Sequence, residues 1–432
     1  MMLNTIKKSL CAAITLAVLP VQAEVSFDAQ VDYEATGYFN DGADGAQDQR
    51  FNNSLSLQAE VYKAWDDDAQ SITFKPFYRH DEMDDERSHG DVRELIWHKV
   101  ADEYELKVGV GKVFWGVTES AHLVDIVNQT DGLESLDGEE KLGQPMVQLL
   151  LERDWGNLDL FVLPFHRERE FAGPDARLSS GFEFADAMYE SDNEESNVDI
   201  AVRFDSYIDE LEYAVSFFHG NSREPMLAYD PVAVELVPYY SELTQVGLEF
   251  QYLNEGWAWK FEGVHREGLP GDFAYQAAGV SAALNPDCLT CVVSNPYPGV
   301  ELVITEDESY FATAAGFEYT QVGIFETRID LGWVVEHLYD SRQEDASLAA
   351  FEHDVLLATR WAANDEADST LLAGVMYDYE YEEYSLSFEG NTRLMDGLSV
   401  EVEARVFAPS EDGKQYGFRD EDFVKLTFSY YL

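Results

Sequence analysis

The chain has 432 residues, with 28 Lys and Arg against 84 Asp and Glu, a formal charge of −56. Such a balance repels nucleic acid and other polyanions; it suits attraction of cations, ion binding by loops, or adaptation to salty surroundings. Aromatic residues make up 13% of the chain, with 24 Tyr, which is heavy for a soluble acidic enzyme and fits the interfacial girdles of a membrane barrel.

Lys7 and Lys8 precede an apolar run from Leu10 to Leu19, and Val21-Gln22-Ala23 has the small-residue pattern of a cleavage site. Residues 1–23 therefore read as a signal peptide, with a barrel over 24–432. No later run is long and apolar enough for a membrane-spanning helix. From Val25 the chain alternates: Val25, Phe27, Ala29, Val31, Tyr33 and Ala35 against Ser26, Asp28, Gln30, Asp32 and Glu34. This period-2 pattern predicts a strand long enough to cross an outer membrane with tilt. A polar loop at 40–50 leads to a return strand carrying Leu55, Leu57, Ala59 and Val61, then the turn Asp66-Asp67-Asp68. A strand through Ile72, Phe74 and Tyr78 is interrupted by Pro76, and an acidic loop at 81–91 precedes strands at 93–99 and 104–110.

Further strands are expected at 146–152, 158–166, 198–205, 211–218, 243–253, 257–265, 310–319, 324–339, 353–362 and 370–381. Three more close the chain. Tyr384, Leu386 and Phe388 alternate with Ser385, Ser387, Glu389, Asn391 and Arg393; Val400, Val402, Ala404 and Val406 alternate with Glu401, Glu403 and Arg405; Val424 to Leu432 repeats the pattern. Tight connections such as Asn254-Glu255-Gly256 alternate with long ones, the longest at 267–309. The fold class is thus all-β: a transmembrane antiparallel β-barrel of about 18 strands, or about 16, with short periplasmic turns and long extracellular loops.

If the apolar stripes face lipid, the opposite stripes line a lumen, and Glu326, Arg328, Arg360, Glu389, Arg393, Glu401, Glu403 and Arg405 are pore-lining candidates. Hydrogen-bonded wall residues are the plainer reading of the same set. The sharpest local feature is Gly109-Val110-Gly111-Lys112-Val113-Phe114-Trp115-Gly116, after which periodicity lapses for roughly thirty residues. A loop over 114–145 folded inward as a constriction is expected, with Lys112, Trp115, Asp125, Asn128 and Asp131 as candidates. Here the chain resembles Gram-negative porin-like barrels in which a Gly-x-Gln/Lys strand ends in Trp-Gly and an Asn-Pro-x-Asp loop follows. Asn128-Gln129-Thr130-Asp131 lacks the proline. The resemblance implies diffusion or export across the outer membrane, with Trp115 as a rim or constriction anchor.

Cys288 and Cys291 form the one Cys-x-x-Cys. Without a thioredoxin-like surround, they read as a disulfide bracing the tip of the long loop. Acidic residues cluster at 81–86 and 186–195, and calcium is the ion such oxygen-rich loops would suit, although none follows the EF-hand order and solvation alone explains them. No other cofactor is indicated. The partners expected are outer-membrane lipid, the outer-membrane assembly machinery and a small-molecule or ion substrate, with no nucleic acid; trimer and monomer stay equally open. The functional reading is a cation-biased channel for passage or export of small hydrophilic or amphipathic solutes. The alternatives are an outer-membrane enzyme acting on lipid or polymer, for which no Gly-x-Ser-x-Gly or His-Glu-x-x-His occurs, and a barrel-anchored surface binding or adhesion protein.

Overall fold

The computed structural model describes residues 25–42, 48–134, 138–270, 273–277, 300–305, 307–342 and 352–432. Its main sheet has 18 strands. In chain order they are β1 (Val25–Tyr38), β2 (Phe51–Trp65), β3 (Gln70–Asp81), β4 (Gly90–Ala101), β5 (Tyr104–Gly111), β6 (Gln144–Arg153), β7 (Gly156–Leu163), β8 (Asp199–Ile208) and β9 (Leu211–Asn221). There follow β10 (Glu242–Asn254), β11 (Trp257–Pro270), β12 (Asp307–Gln321), β13 (Asp330–Asp340), β14 (His353–Ala362), β15 (Thr370–Asp378), β16 (Glu383–Met395), β17 (Leu398–Ala408) and β18 (Phe423–Tyr431). Each strand pairs antiparallel with its sequence neighbours. β1 pairs with β18 as well as β2, from Gln30↔Tyr431 to Tyr38↔Phe423, so the sheet closes and leaves no edge. Closure matters because an unpaired backbone edge in hydrocarbon costs several kcal/mol for each orphaned group, on the order of a lost hydrogen bond in an apolar medium.

The alternation in the sequence maps onto the two faces. On β1, Phe27 and Tyr33 are exposed outward while Glu34 and Thr36 are buried inward. On β10, Val246 and Leu248 face out while Gln245 and Glu249 face in. Aromatic clusters ring both rims. Trp257 stacks on Tyr319 at 4.4 Å and on Trp259 at 5.7 Å beside the short turns, and Phe311 meets Tyr339 at 5.5 Å near the long loops. An outward apolar band between aromatic girdles on a closed barrel places the protein in the outer membrane, surrounded by its lipid and inserted by its assembly machinery.

Two features differ from the sequence expectation. The strand expected from Ile324 begins only at Asp330, because Gly323, Phe325 and Glu326 take left-handed backbone (φ 64°, 53° and 57°) and make a turn. The connections at 168–197 and 221–242 are not plain loops: Met226–Asp230 pairs with Glu235–Tyr240, which runs parallel to Glu183–Phe184 and Met188–Tyr189. Cys288, Cys291 and the signal-peptide segment lie outside the described residues.

Candidate functional site

Between β5 and β6 the chain leaves the wall at Gly111 and returns at Gln144. In between, it bonds to strands on the far side of the barrel. Glu262 on β11 is fully buried, and its Oε1 accepts the N–H groups of Val117 (2.7 Å) and Thr118 (2.9 Å) and the Thr118 hydroxyl (2.6 Å); its Oε2 accepts Val124 N–H at 3.3 Å. Glu336 on β13 accepts Glu119 N–H (2.8 Å), Ser120 N–H (2.8 Å) and the Ser120 hydroxyl (2.6 Å). Arg360 on β14 pairs with Glu119. Residues 117–124 form no helix or strand that would satisfy their amides, so two wall carboxylates do so instead. Gly116 makes this approach geometrically open: its φ is 131°, and a Cβ there would lie 2.9 Å from both Glu262 Oε1 and His122 Nδ1.

The same segment has an apolar underside. Trp115, Val124, Ile126 and Val127 are buried against Met146, Phe161, Phe218, Leu243 and Val264 on the inner wall, with Trp115 edge-on to Phe161 at 5.7 Å. Leu123 and Ala121 also touch a second apolar group, Ala314, Val334, Leu338 and Leu356. The lumenal face of β6 to β14 is therefore partly hydrophobic, because it holds a segment rather than water.

A buried ionic network ties the segment's other end to β1, β3 and β4. Arg79 lies 3.1 Å from Glu34 and 2.7 Å from Glu134; Arg87 lies 2.9 Å from Glu34 and 2.7 Å from Asp81; Arg93 pairs with Asp131. The connection after β7 crosses as well. Arg177, fully enclosed, binds Glu421 at 2.7 Å and donates to the carbonyls of Asn40, Gln49 and Asp420. Beyond these segments the lumenal wall is charged, with a repeated arrangement in which a cation sits between carboxylates. Lys75 lies 3.1 Å from Glu60 and 3.0 Å from Glu94. Arg203 pairs with Glu249 and, at 2.7 Å, with Asp205. Arg405 lies 2.7 Å from Glu389 and 3.2 Å from Glu403, which also meets Lys425 at 2.5 Å.

The candidates from sequence therefore divide. Glu389, Glu403 and Arg405 form one lumenal cluster, with Glu401 on the same face of β17, while Arg360 grips the crossing segment. Arg393 pairs with Asp368 at the turn rim. Glu326 and Arg328 sit on the turn before β13, off the wall where the alternation had placed them. Lys112 is 3.4 Å from Glu140. Trp115, Asn128 and Asp131 are buried struts and not water-facing groups: Asn128 donates to the carbonyls of Gly111 (2.9 Å) and Leu142 (2.8 Å), closing the base of the segment, and Asp131 takes Arg93. Glu336 and the buried arginines carried no sequence signal, since Val334 and Leu338 flank Glu336 on an inner face as apolar as the outer one.

Asp125 is enclosed, and burial pushes its carboxyl up to about 6 against the pull of Lys141 at 3.4 Å. Because the folded value lies above the unfolded one, its contribution to stability is present below pH about 4 and is lost as pH rises through about 6. Asp125→Asn is expected to remove that loss, raising the urea midpoint at neutral pH and flattening its pH dependence between those values, an effect of up to about 3 kcal/mol. A variant whose midpoint tracks wild type at every pH would contradict this.

No protein-family model matches the chain, and no curated protein matches its sequence. Its structure is similar to that of OccAB1 from Acinetobacter baumannii, at 8% identity and a TM-score of 0.53 over 95% of this chain and 96% of that one. The chain folds as a porin-like outer-membrane β-barrel. A comparable likeness, 9% identity and a TM-score of 0.51 over 99% and 86% of the two chains, is to Escherichia coli Wzi, an outer membrane protein involved in group 1 capsule assembly and described as a carbohydrate binding β-barrel. At such identities both likenesses speak to fold alone.

Proposed function

We propose that the barrel is a narrow channel for small hydrophilic or amphipathic solutes, biased toward cations, with the 112–143 segment as its constriction. The supporting observation is the lumenal wall, where Lys75 and Arg203 each stand between two carboxylates and Arg405 and Lys425 share a face with Glu389, Glu401 and Glu403. Carboxylates outnumber cations in each cluster and leave a net negative field. Charge of one sign along a low-dielectric passage concentrates the opposite ion. The segment held by Glu262 and Glu336 narrows that passage, which favours small solutes over bulk diffusion. Glu401→Gln together with Glu403→Gln is expected to move the reversal potential in a salt gradient toward zero, since Arg405 and Lys425 lose a carboxylate partner. An unaltered cation preference in the open double variant would sink the role given to this pair.

A second reading is a barrel-anchored surface binding protein. It is favoured by the small sheet of residues 183–189, 226–230 and 235–240, which joins two long connections. A folded barrel with no conductance would support it over the channel.

A further inference from the structure

At the long-loop rim the register sets acidic residues opposite one another across three strands. Asp354 on β14 faces Asp378 on β15, which faces Glu383 on β16. Glu352, just before β14, joins them. Cross-strand neighbours of like charge are destabilising, and here all four side chains are buried, with Glu352 and Asp354 at 0% exposure. Lys414 Nζ lies 3.0 Å from Glu352 Oε1, and one ammonium does not balance four carboxylates.

The hydrogen bonding separates the four. Asp378 Oδ1 accepts N–H groups of Glu380 (2.7 Å) and Tyr381 (3.0 Å), and Glu383 accepts those of Ser410 (3.3 Å) and Gln415 (3.2 Å). Asp354 Oδ1 and Glu352 Oε2 are buried without a hydrogen-bond partner. A buried, partnerless carboxylate oxygen is costly and calls for an explanation. Oxygens from Glu352, Asp354 and Asp378 lie within 4.8 Å of one another, so a point between them can reach all three.

We infer that Glu352, Asp354 and Asp378 form a binding site for a divalent cation of the calcium class. The donors are all hard oxygens, which disfavours zinc and copper. Oxygens within 4.8 Å of one another can share one ion, and calcium accepts an irregular set of protein carboxylates where magnesium demands a near-ideal octahedron and keeps several waters. The cation ties the loop before β14 to β14 and β15 and cancels the repulsion along the acidic row. This site is separate from the acidic stretches at 81–86 and 186–195, and it stands whether or not the barrel conducts.

The test uses the full barrel, refolded in a zwitterionic detergent at about 0.15 M salt to screen diffuse binding, with its unfolding midpoint read in EDTA, magnesium chloride and calcium chloride. Wild type should gain about 3 °C or more in calcium, and less in magnesium. Asp354→Asn should match or exceed wild type in EDTA, because it removes repulsion, and should lose the calcium response. Asp67→Asn with Asp68→Asn, on an exposed turn, should keep it. Equal wild-type midpoints in EDTA and calcium, or a full calcium response in Asp354→Asn, would overturn the site. Should Asp354→Asn not fold, calorimetric titration of wild type and Glu352→Gln with calcium decides: a saturable heat lost in the variant supports the site, and equal heats refute it.

Discussion

Glu262→Ala combined with Glu336→Ala is expected to free the Val117–Val124 stretch and raise single-channel conductance several-fold while the barrel stays folded. The two carboxylates accept backbone and hydroxyl donors from this stretch. Charge-assisted bonds contribute roughly 1.5–3 kcal/mol each, so losing both acceptors removes on the order of 5–10 kcal/mol of docking even with generous non-additivity. The strand ladder on either side of Glu262 is made by backbone groups and is untouched. Retained heat-modifiable migration would report the intact barrel. Glu262→Gln with Glu336→Gln separates charge from acceptor geometry, since the amides keep one acceptor oxygen each, and should open the pore less. A folded alanine variant with wild-type conductance would show that the segment does not restrict the passage.

Arg79→Ala should be the most destabilising single change in the ionic network. Its guanidinium bridges Glu34 on β1 and Glu134 in the crossing segment, with all three side chains less than a tenth exposed. Removing one partner of a buried pair leaves a charge without compensation, at a cost of about 3–5 kcal/mol. Arg87 still faces Glu34 at 2.9 Å, whereas Glu134 keeps only Arg93, at 4.0 Å and beyond hydrogen-bond reach, so Glu134 is the group that loses most. Adding Glu134→Gln should therefore recover most of the lost urea midpoint. If the double variant is no better than Arg79→Ala, the loss comes from packing or from Ser54, to which Arg79 donates at 2.6 Å, and the electrostatic account fails.

The wall was more legible in the sequence than its contents. β1, β2, β16, β17 and β18 alternate because one face meets lipid and the other water, and that contrast is what period-2 reading detects. β13 defeats it: Val334 and Leu338 face inward to hold the crossing segment while Trp333 and Val335 face outward, so neither face is marked polar. Glu326 and Arg328 were misplaced for a related reason. Val322 and Phe325 are apolar residues exposed on a turn, so the hydrophobic pattern runs on where the backbone has already left the strand. The glycines of the 109–116 stretch did mark the departure from the wall, since Gly111 ends β5 and Gly116, with φ of 131°, allows the close approach to Glu262. The partners of that segment are far away in sequence, and nothing local points from Thr118 to Glu262 or from Ser120 to Glu336. Long-range carboxylate clamps of this kind come from the fold, and the sequence shows only their separate halves.

The central claim is an acidic passage narrowed by a clamped segment. Its most direct test is the single-channel conductance and reversal potential of the refolded wild-type barrel in a planar bilayer under a potassium chloride gradient. The account predicts small, discrete steps with a reversal potential on the cation-selective side. A folded barrel that passes no current, or one whose reversal potential is anion-selective, would contradict it.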